Sequence, residues 1–209
     1  EANREQNLEL INSLYDNYLA EISRSRGMDT AELRDIAYNM KVRNAEDAIK
    51  YGLVDKLVHR DYMLEKWRNL TGDENIEKVK LVGYADYHAS QKSYEFKENK
   101  VAVVYANGSI TMGDGSYDQV GSEGLSKAIR KARLNKEVKA IVLRVNSPGG
   151  SALASDVILR EVELAKKEKP VIVSMGDVAA SGGYYISCKA NRIIAEPNTI
   201  TGSIGVIGF

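Results

Sequence analysis

Hydrophobic and polar positions divide the chain into two textures. Up to about Leu70 the apolar residues recur at helical spacing. Leu8, Ile11, Leu14, Tyr15, Tyr18, Leu19 and Ile22 fall three and four apart, which builds one apolar helix face. Asp29 with Glu32 three residues later fits a capping box opening a second helix towards Met40. Asn44 caps a short third helix through Tyr51, ended by Gly52. Asp61 caps a fourth, which carries Met63, Leu64 and Trp67 and stops near Thr71-Gly72. The stretch from Asp73 to Lys100 is polar and mixed, with a candidate strand at Val79–Val82 and a linker over Ala89–Lys100.

From Lys100 the pattern changes to alternating strands and helices. "VAVVYANGSI" at 101–110 reads as a strand leaving through Asn107-Gly108, and "EGLSKAIRKARLN" at 123–135 as an amphipathic helix. "VKAIVLRVNSPGG" at 138–150 is a near-continuous apolar strand closed by Pro-Gly-Gly; "LASDVILREVELAKKE" at 153–168 is a helix with Ala154, Ile158, Val162 and Ala165 on one face. "PVIVSMG" at 170–176 is another buried strand, "ASGGYYISCKAN" at 180–191 a small-residue helix, and "RIIAEP" at 192–197 a strand. Val/Ile-rich runs separated by helices are the mark of parallel strands joined by right-handed crossovers. An α/β architecture follows for residues 100–209, with a mostly helical segment, 1–99, before it.

Composition narrows the function. Lys plus Arg and Asp plus Glu stand at 29 each, so no net charge draws the chain to nucleic acid or an anionic membrane. A single cysteine, Cys188, forms neither an internal disulfide nor a zinc site. No apolar run has the length of a membrane span. The chain opens inside a helical pattern without Met and closes on the core-like "ITGSIGVIGF", so it reads as a piece of something longer.

The chemistry concentrates in two Gly-rich turns that follow successive strands, Asn146-Ser-Pro-Gly-Gly150 and Gly176 through Gly183. In a parallel sheet such turns lie together at the carboxyl edge, where α/β proteins place their sites. Ser181 at a helix start is either a nucleophile or a small residue in a tight turn. If it attacks a carbonyl, the amide of Gly182 and that of Gly149 or Gly150 can stabilise the oxyanion. Phosphate-loop spacing and the Gly-x-Ser-x-Gly elbow are both missing. A serine needs a base. His59 and His88 sit in polar surroundings well before Ser181, Lys189 points away from the loop edge, and Lys166, Lys167 and Lys169 belong to a solvated face.

"VKAIVLRVNSPGGSALASDVI", "PVIVSMGDVAASGGYYIS" and "TITGSIGVIG" resemble the signal peptide peptidase A (protease IV) family in its long, two-repeat form; "SYDQVGSEGLSKAIRKARLN" and "AEDAIKYGLVDKL" fit as well. The resemblance implies a ClpP/crotonase-like ββα superhelical spiral. It implies a membrane-associated serine endopeptidase with a Ser/Lys dyad, acting on released signal peptides at the periplasmic face of a bacterial inner membrane, without a cofactor, as a homo-oligomer such as a tetramer. Ser181 is then the nucleophile, Gly182 with Gly149 and Gly150 the oxyanion hole, and Ser203 the hydroxyl that orients the lysine. In both family layouts that lysine falls outside 1–209, so this stretch alone is expected to be inactive and its membrane anchor to lie elsewhere. Residues 1–99 become the end of the first repeat plus a connector, and 100–209 the front of the second. The alternative is a crotonase-like acyl-CoA enzyme using the same amides on a thioester.

Overall fold

The computed structural model describes residues 1–72, 81–90 and 98–205. The chain forms two compact units, Glu1–Glu95 and Phe96–Phe209.

The first unit is helical: α1 (Ala2–Arg26), α2 (Thr30–Tyr38), α3 (Ala45–Lys50), α4 (Arg60–Thr71) and α5 (Tyr84–Ser90). The caps explain most of the boundaries. Asp29 accepts a 2.6 Å hydrogen bond from the Ala31 amide, and Asn44 takes the Asp47 amide at 2.8 Å. Both satisfy donors that a helix start leaves unpaired. Helix α4 begins two residues earlier than its acidic residue predicts: His59 is the N-cap, without a side-chain bond, and Asp61 lies in the first turn, where its charge suits the helix dipole. The first unit's buried apolar side chains among the described residues are Leu19 on α1 and Leu33 and Ile36 on α2, and these two helices are in contact. Arg34 stacks 5.2 Å over the Tyr15 ring and pairs with Asp16. Helix α5 occupies sequence that reads as non-helical and includes the first residues of the expected linker. Of the candidate strand, Val79 and Lys80 lie outside the described residues, and Leu81 and Val82 are not extended into a ladder.

The second unit is α/β. Its main sheet is five-stranded and parallel throughout: β1 (Lys100–Asn107), β5 (Val138–Ser147) and β6 (Val171–Ala180) lie side by side, β7 (Arg192–Ile194) pairs with the start of β6 and β8 (Ile200–Gly202) with its end. A smaller three-stranded sheet joins β2 (Ser109–Thr111), β4 (Gln119–Gly121) and β3 (Gly115–Ser116). Helices α6 (Ser122–Leu134) and α7 (Ala152–Glu168) are the crossovers. Their apolar faces, with Ile129, Ile158 and Val162, close over Ile141, Leu143, Val145, Val171 and Val173 of the strands in one core. A buried Glu161 on α7 takes Arg130 of α6 at 2.5 Å, tying the two helices together.

Two elements differ from their sequence reading in a way that shapes the site. Strand β6 does not stop at Gly176; it runs to Ala180, so "DVAA" is ladder and not loop. The expected helix over 180–191 is reduced to α8 (Gly182–Tyr185), followed by turns. "RIIAEP" is likewise extended only over its first three residues, and of the closing "ITGSIGVIGF" residues 206–209 lie outside the described ones.

Candidate active site

The two turns meet. Strands β5 and β6 are parallel neighbours, so their carboxyl ends reach one edge of the sheet. Gly149 from the first turn packs on Ser181 and Gly182 from the second: a Cβ added at Gly149 would stand 2.6 Å from the Gly182 nitrogen and 2.8 Å from Ser181 Cβ. Gly149 also holds φ +100°, a conformation that costs side-chain-bearing residues strain. No other residue type brings these backbones together.

Ser181 sits at the point where β6 turns into α8, with φ 51° and ψ −120°. Such a backbone is unfavourable for a non-glycine residue and persists only where its surroundings enforce it. They do so here from two sides. The Ser181 amide donates to the Gly202 carbonyl at 3.0 Å and the Ser181 carbonyl accepts from the Tyr185 amide at 2.9 Å. Thr201 Oγ1 donates to the Ala179 carbonyl at 2.7 Å, so β8 is fastened to the strand end that presents the serine. Strand-to-helix presentation of a serine is thus achieved without the Gly-x-Ser-x-Gly spacing.

Ser181 opens into a cleft of about 490 Å³ that Gly150, Gly182, Ser155, Tyr184, Tyr185 and Ser203 help to line. The structure separates the two glycines of the first turn. Gly149 is buried and its amide donates to Ser147 Oγ at 3.1 Å. Gly150 bridges Ile110: the Ile110 amide donates to the Gly149 carbonyl at 2.8 Å and the Ser151 amide to the Ile110 carbonyl at 2.9 Å. In a parallel bridge of that kind the flanking residues make the bonds, and the central residue's own N–H and C=O face the other way. Among the described residues no acceptor takes the amide of Gly150 or of Gly182. Two glycines lining the cleft of one hydroxyl, with amides that have no acceptor among the described residues, are the kind of arrangement an oxyanion site requires. The expected donation from Gly149 is the part the geometry removes. A helix dipole adds little behind Ser181, because α8 has 4 residues.

Ser203, at φ 50°, lines the same cleft from the turn after β8. Sequence reasoning missed Ser155, whose buried hydroxyl donates to the Ser151 carbonyl at 2.8 Å and lies where a Gly182 Cβ would come within 2.5 Å of it. It also missed the Tyr185 hydroxyl, which donates to Asp156 Oδ1 at 2.9 Å. That bond, with the charge of Asp156, raises the Tyr185 pKa above its usual value, so the phenol keeps its proton. The Tyr-Tyr pair after Gly183 was visible in the sequence, but its partner on α7 was not. No lysine or histidine is among the described residues lining the cleft. Lys189 belongs with Arg160, Glu163, Lys166 and Lys167 on another part of the surface. His59 and His88 belong to the first unit.

Comparison with known proteins bears on both units. The chain is 41% identical over 99% of its length to Protease 4 of Salmonella typhi, of which it covers 35%. It is 36% identical over 99% of its length to the chloroplastic serine protease SPPA of Arabidopsis thaliana, of which it covers 32%. The chain therefore spans about a third of the length of these curated relatives. Among solved structures it is similar to the 1510-N membrane-bound stomatin-specific protease, with 28% identity, a TM-score of 0.42, and coverage of 52% of this chain and 49% of that one. The model of peptidase family S49 matches residues 1–72 in the first unit and 163–208 in the second, more than half of the sequence, and the chain belongs to that family.

Proposed function

We propose that this chain carries the nucleophile half of a Ser/Lys endopeptidase. The observation that carries the reading is the contact of the Pro-Gly-Gly turn with Ser181 and Gly182, which sets one hydroxyl and two unpartnered amides in one cleft. Family membership and relatives named as proteases support it.

In this mechanism Ser181 Oγ attacks the scissile carbonyl and passes its proton to a neutral lysine amine. The carbonyl electron pair moves to oxygen, and the amides of Gly182 and Gly150 hold that oxyanion. Collapse expels the amine of the leaving peptide, which takes the proton back from the lysine and leaves an acyl-enzyme on Ser181. Water repeats the cycle and frees the serine. The lysine comes from the remainder of the full-length protein. Desolvation lowers its pKa enough to make it a base. Ser203 orients its amine across the cleft.

The substrates are peptides released from secreted proteins, as the family resemblance implies; the mostly apolar lining, with Ala152, Tyr184 and Ile204, accepts their hydrophobic stretch. Residues 1–99 are the end of a first repeat plus connector, and 100–209 the front of a second; a family-model match in each unit supports this. We place the membrane attachment of the full-length protein outside this stretch, as the family resemblance implies; no helix among the described residues is long and apolar enough to cross a membrane. We place the full-length protein at the periplasmic face of the inner membrane as a homo-oligomer.

The test is Ser181→Ala in the full-length protein. Peptide hydrolysis should fall at least about 10⁴-fold, in line with removal of a nucleophile elsewhere, and a serine-directed phosphonate should label the unaltered protein at Ser181 alone. Undiminished hydrolysis by the variant overturns the assignment. An acyl-CoA enzyme would escape phosphonate labelling and bind CoA esters saturably.

A further inference from the structure

Nothing in the mechanism above explains why β5 and β6 fall out of register just before the site. Val145 pairs with Met175, yet Ser147 pairs with Ala179. Two steps along β5 match four along β6, so β6 carries two extra residues between those pairs. A strand rises roughly 3.3 Å per residue. Unbulged, Gly149 would stand level with Ala179, and Ser181 would project about 6–7 Å beyond it. The irregularity draws the end of β6 back. From the reset pair Ser147 and Ala179, two residues along each strand lead to Gly149 and Ser181, the two that touch.

A bulge of this size frees ladder groups that must find other partners. Side chains supply them. Arg144 Nη1 donates to the Met175 carbonyl at 2.7 Å, and Thr199 Oγ1 to the Gly176 carbonyl at 2.8 Å. The freed Val178 amide donates to Asn146 Oδ1 at 3.0 Å. Asn146 is the member that stands opposite the extra residues. Its side chain occupies the space over Gly176, where an added Cβ would lie 3.0 Å from Asn146 Cβ and 3.1 Å from its Oδ1. Its own carbonyl accepts the Gly108 amide at 2.9 Å, which fixes the turn leading to Ile110, the residue that holds Gly149 and Ser151. One side chain and its backbone therefore reference both halves of the site.

We propose that Asn146 is a positioning residue: its Oδ1 replaces a strand acceptor for Val178, stabilises the two-residue offset, and so sets Ser181 and Gly182 level with the Pro-Gly-Gly turn. Asn146 touches no substrate. The inference rests on Ser181 being the nucleophile, and its test separates the two.

In the full-length protein, Asn146→Ala removes the acceptor, while Asn146→Asp keeps an oxygen in place. We expect N146A to lower kcat about 10- to 100-fold with KM changed less than about 2-fold, the size of effect that a misplacement near 1 Å produces. N146D should recover to within about 5-fold of the parent enzyme. A role in general folding alone would lower the active fraction without a kcat loss per labelled site, so turnover is normalised to the serine titrated by phosphonate. Gly176→Ala crowds Asn146 from the opposite side while leaving its amide intact, and should also lower kcat about 10-fold; it serves if N146A does not fold. Parent-like kcat in N146A, or in G176A where N146A is insoluble, overturns the proposal, as does N146D being as poor as N146A. If Ser181→Ala itself remains active, the nucleophile reading fails first; if it is inactive and N146A is not impaired, only the positioning role fails.

Discussion

Residues 1–95 and 96–209 bury their apolar surface by different means. In the second unit the strands supply each other's partners, and Ala106, Val145, Ile158, Val162 and Val173 are closed from solvent completely. In the first, α1 has the apolar periodicity of a packed helix, yet Leu8, Leu10 and Ile11 remain 48%, 47% and 61% exposed. Periodicity fixes which face of a helix is apolar; it does not supply what covers that face. In the second unit the crossover helices α6 and α7 bring that cover to the strands, although Val101, Val103 and Tyr105 of the edge strand β1 stay exposed. The site lies in the unit with the closed core, and that is where rigidity matters: Ser181 keeps a strained backbone because the core beneath β5 and β6 does not yield.

The strongest way to break the contrast is at the backbone contact between the two Gly turns. Gly149→Ala adds a methyl 2.6 Å from the Gly182 nitrogen at a φ of +100°. Peptide hydrolysis by the full-length protein should fall by about 100-fold or more, and the variant should lose stability by about 1–3 kcal/mol from backbone strain. Retained turnover would mean that the two turns are not held against each other. A step lower in effect is a paired truncation. Ile158→Ala, in the closed core, should cost about 2–5 kcal/mol, whereas Ile11→Ala, on the open face of α1, should change stability by less than about 0.5 kcal/mol. Amide hydrogen exchange resolved by unit is the proper measurement, since two units need not unfold in one transition. Equal costs would show that α1 is covered in solution.

What the sequence made legible follows the same division. Val/Ile runs and their crossover helices were readable, because β1, β5, β6, α6 and α7 are long and strongly patterned. The end of β6 was not. "GDVAA" has the composition of a turn; its end stays in the ladder through β8, while Asn146, Arg144 and Thr199 take over bonds that a regular register with β5 would have made. The meeting of the two Gly turns could be foreseen from strand adjacency. Which glycine amide remains free could not, since it depends on Ser147 Oγ and on a bridge to Ile110. The extent of α8 was overread for a related reason: alanine and glycine around Ser181 look helical by spacing, while β8 holds the serine in a backbone no helix uses. His59 displaced Asp61 as a cap because capping motifs locate helix starts only within a residue or two.

The smallest expected effect tests the electrostatics of the open unit. Asp35 is hydrogen-bonded first by Lys41 and then by Asn39, and these hold its pKa below the ordinary carboxylate value, while Lys41 is raised by the same bond. A carboxylate whose pKa is depressed by folding contributes stability above its unfolded pKa and loses it as pH falls through the folded value. The contribution of Asp35 is thus present at neutral pH and disappears below about pH 4. Both partners are exposed to solvent, so salt screens the pair and the effect is minor beside a core truncation. Asp35→Asn keeps the shape and removes the charge. Exchange protection of α2 amides should then differ between parent and variant at pH 6, and the difference should shrink as the pH is lowered towards 3 and as salt is raised. A difference that persists unchanged at low pH would mean that the charge of Asp35 is not its source, and that the pairing with Lys41 contributes nothing to holding α2 in place.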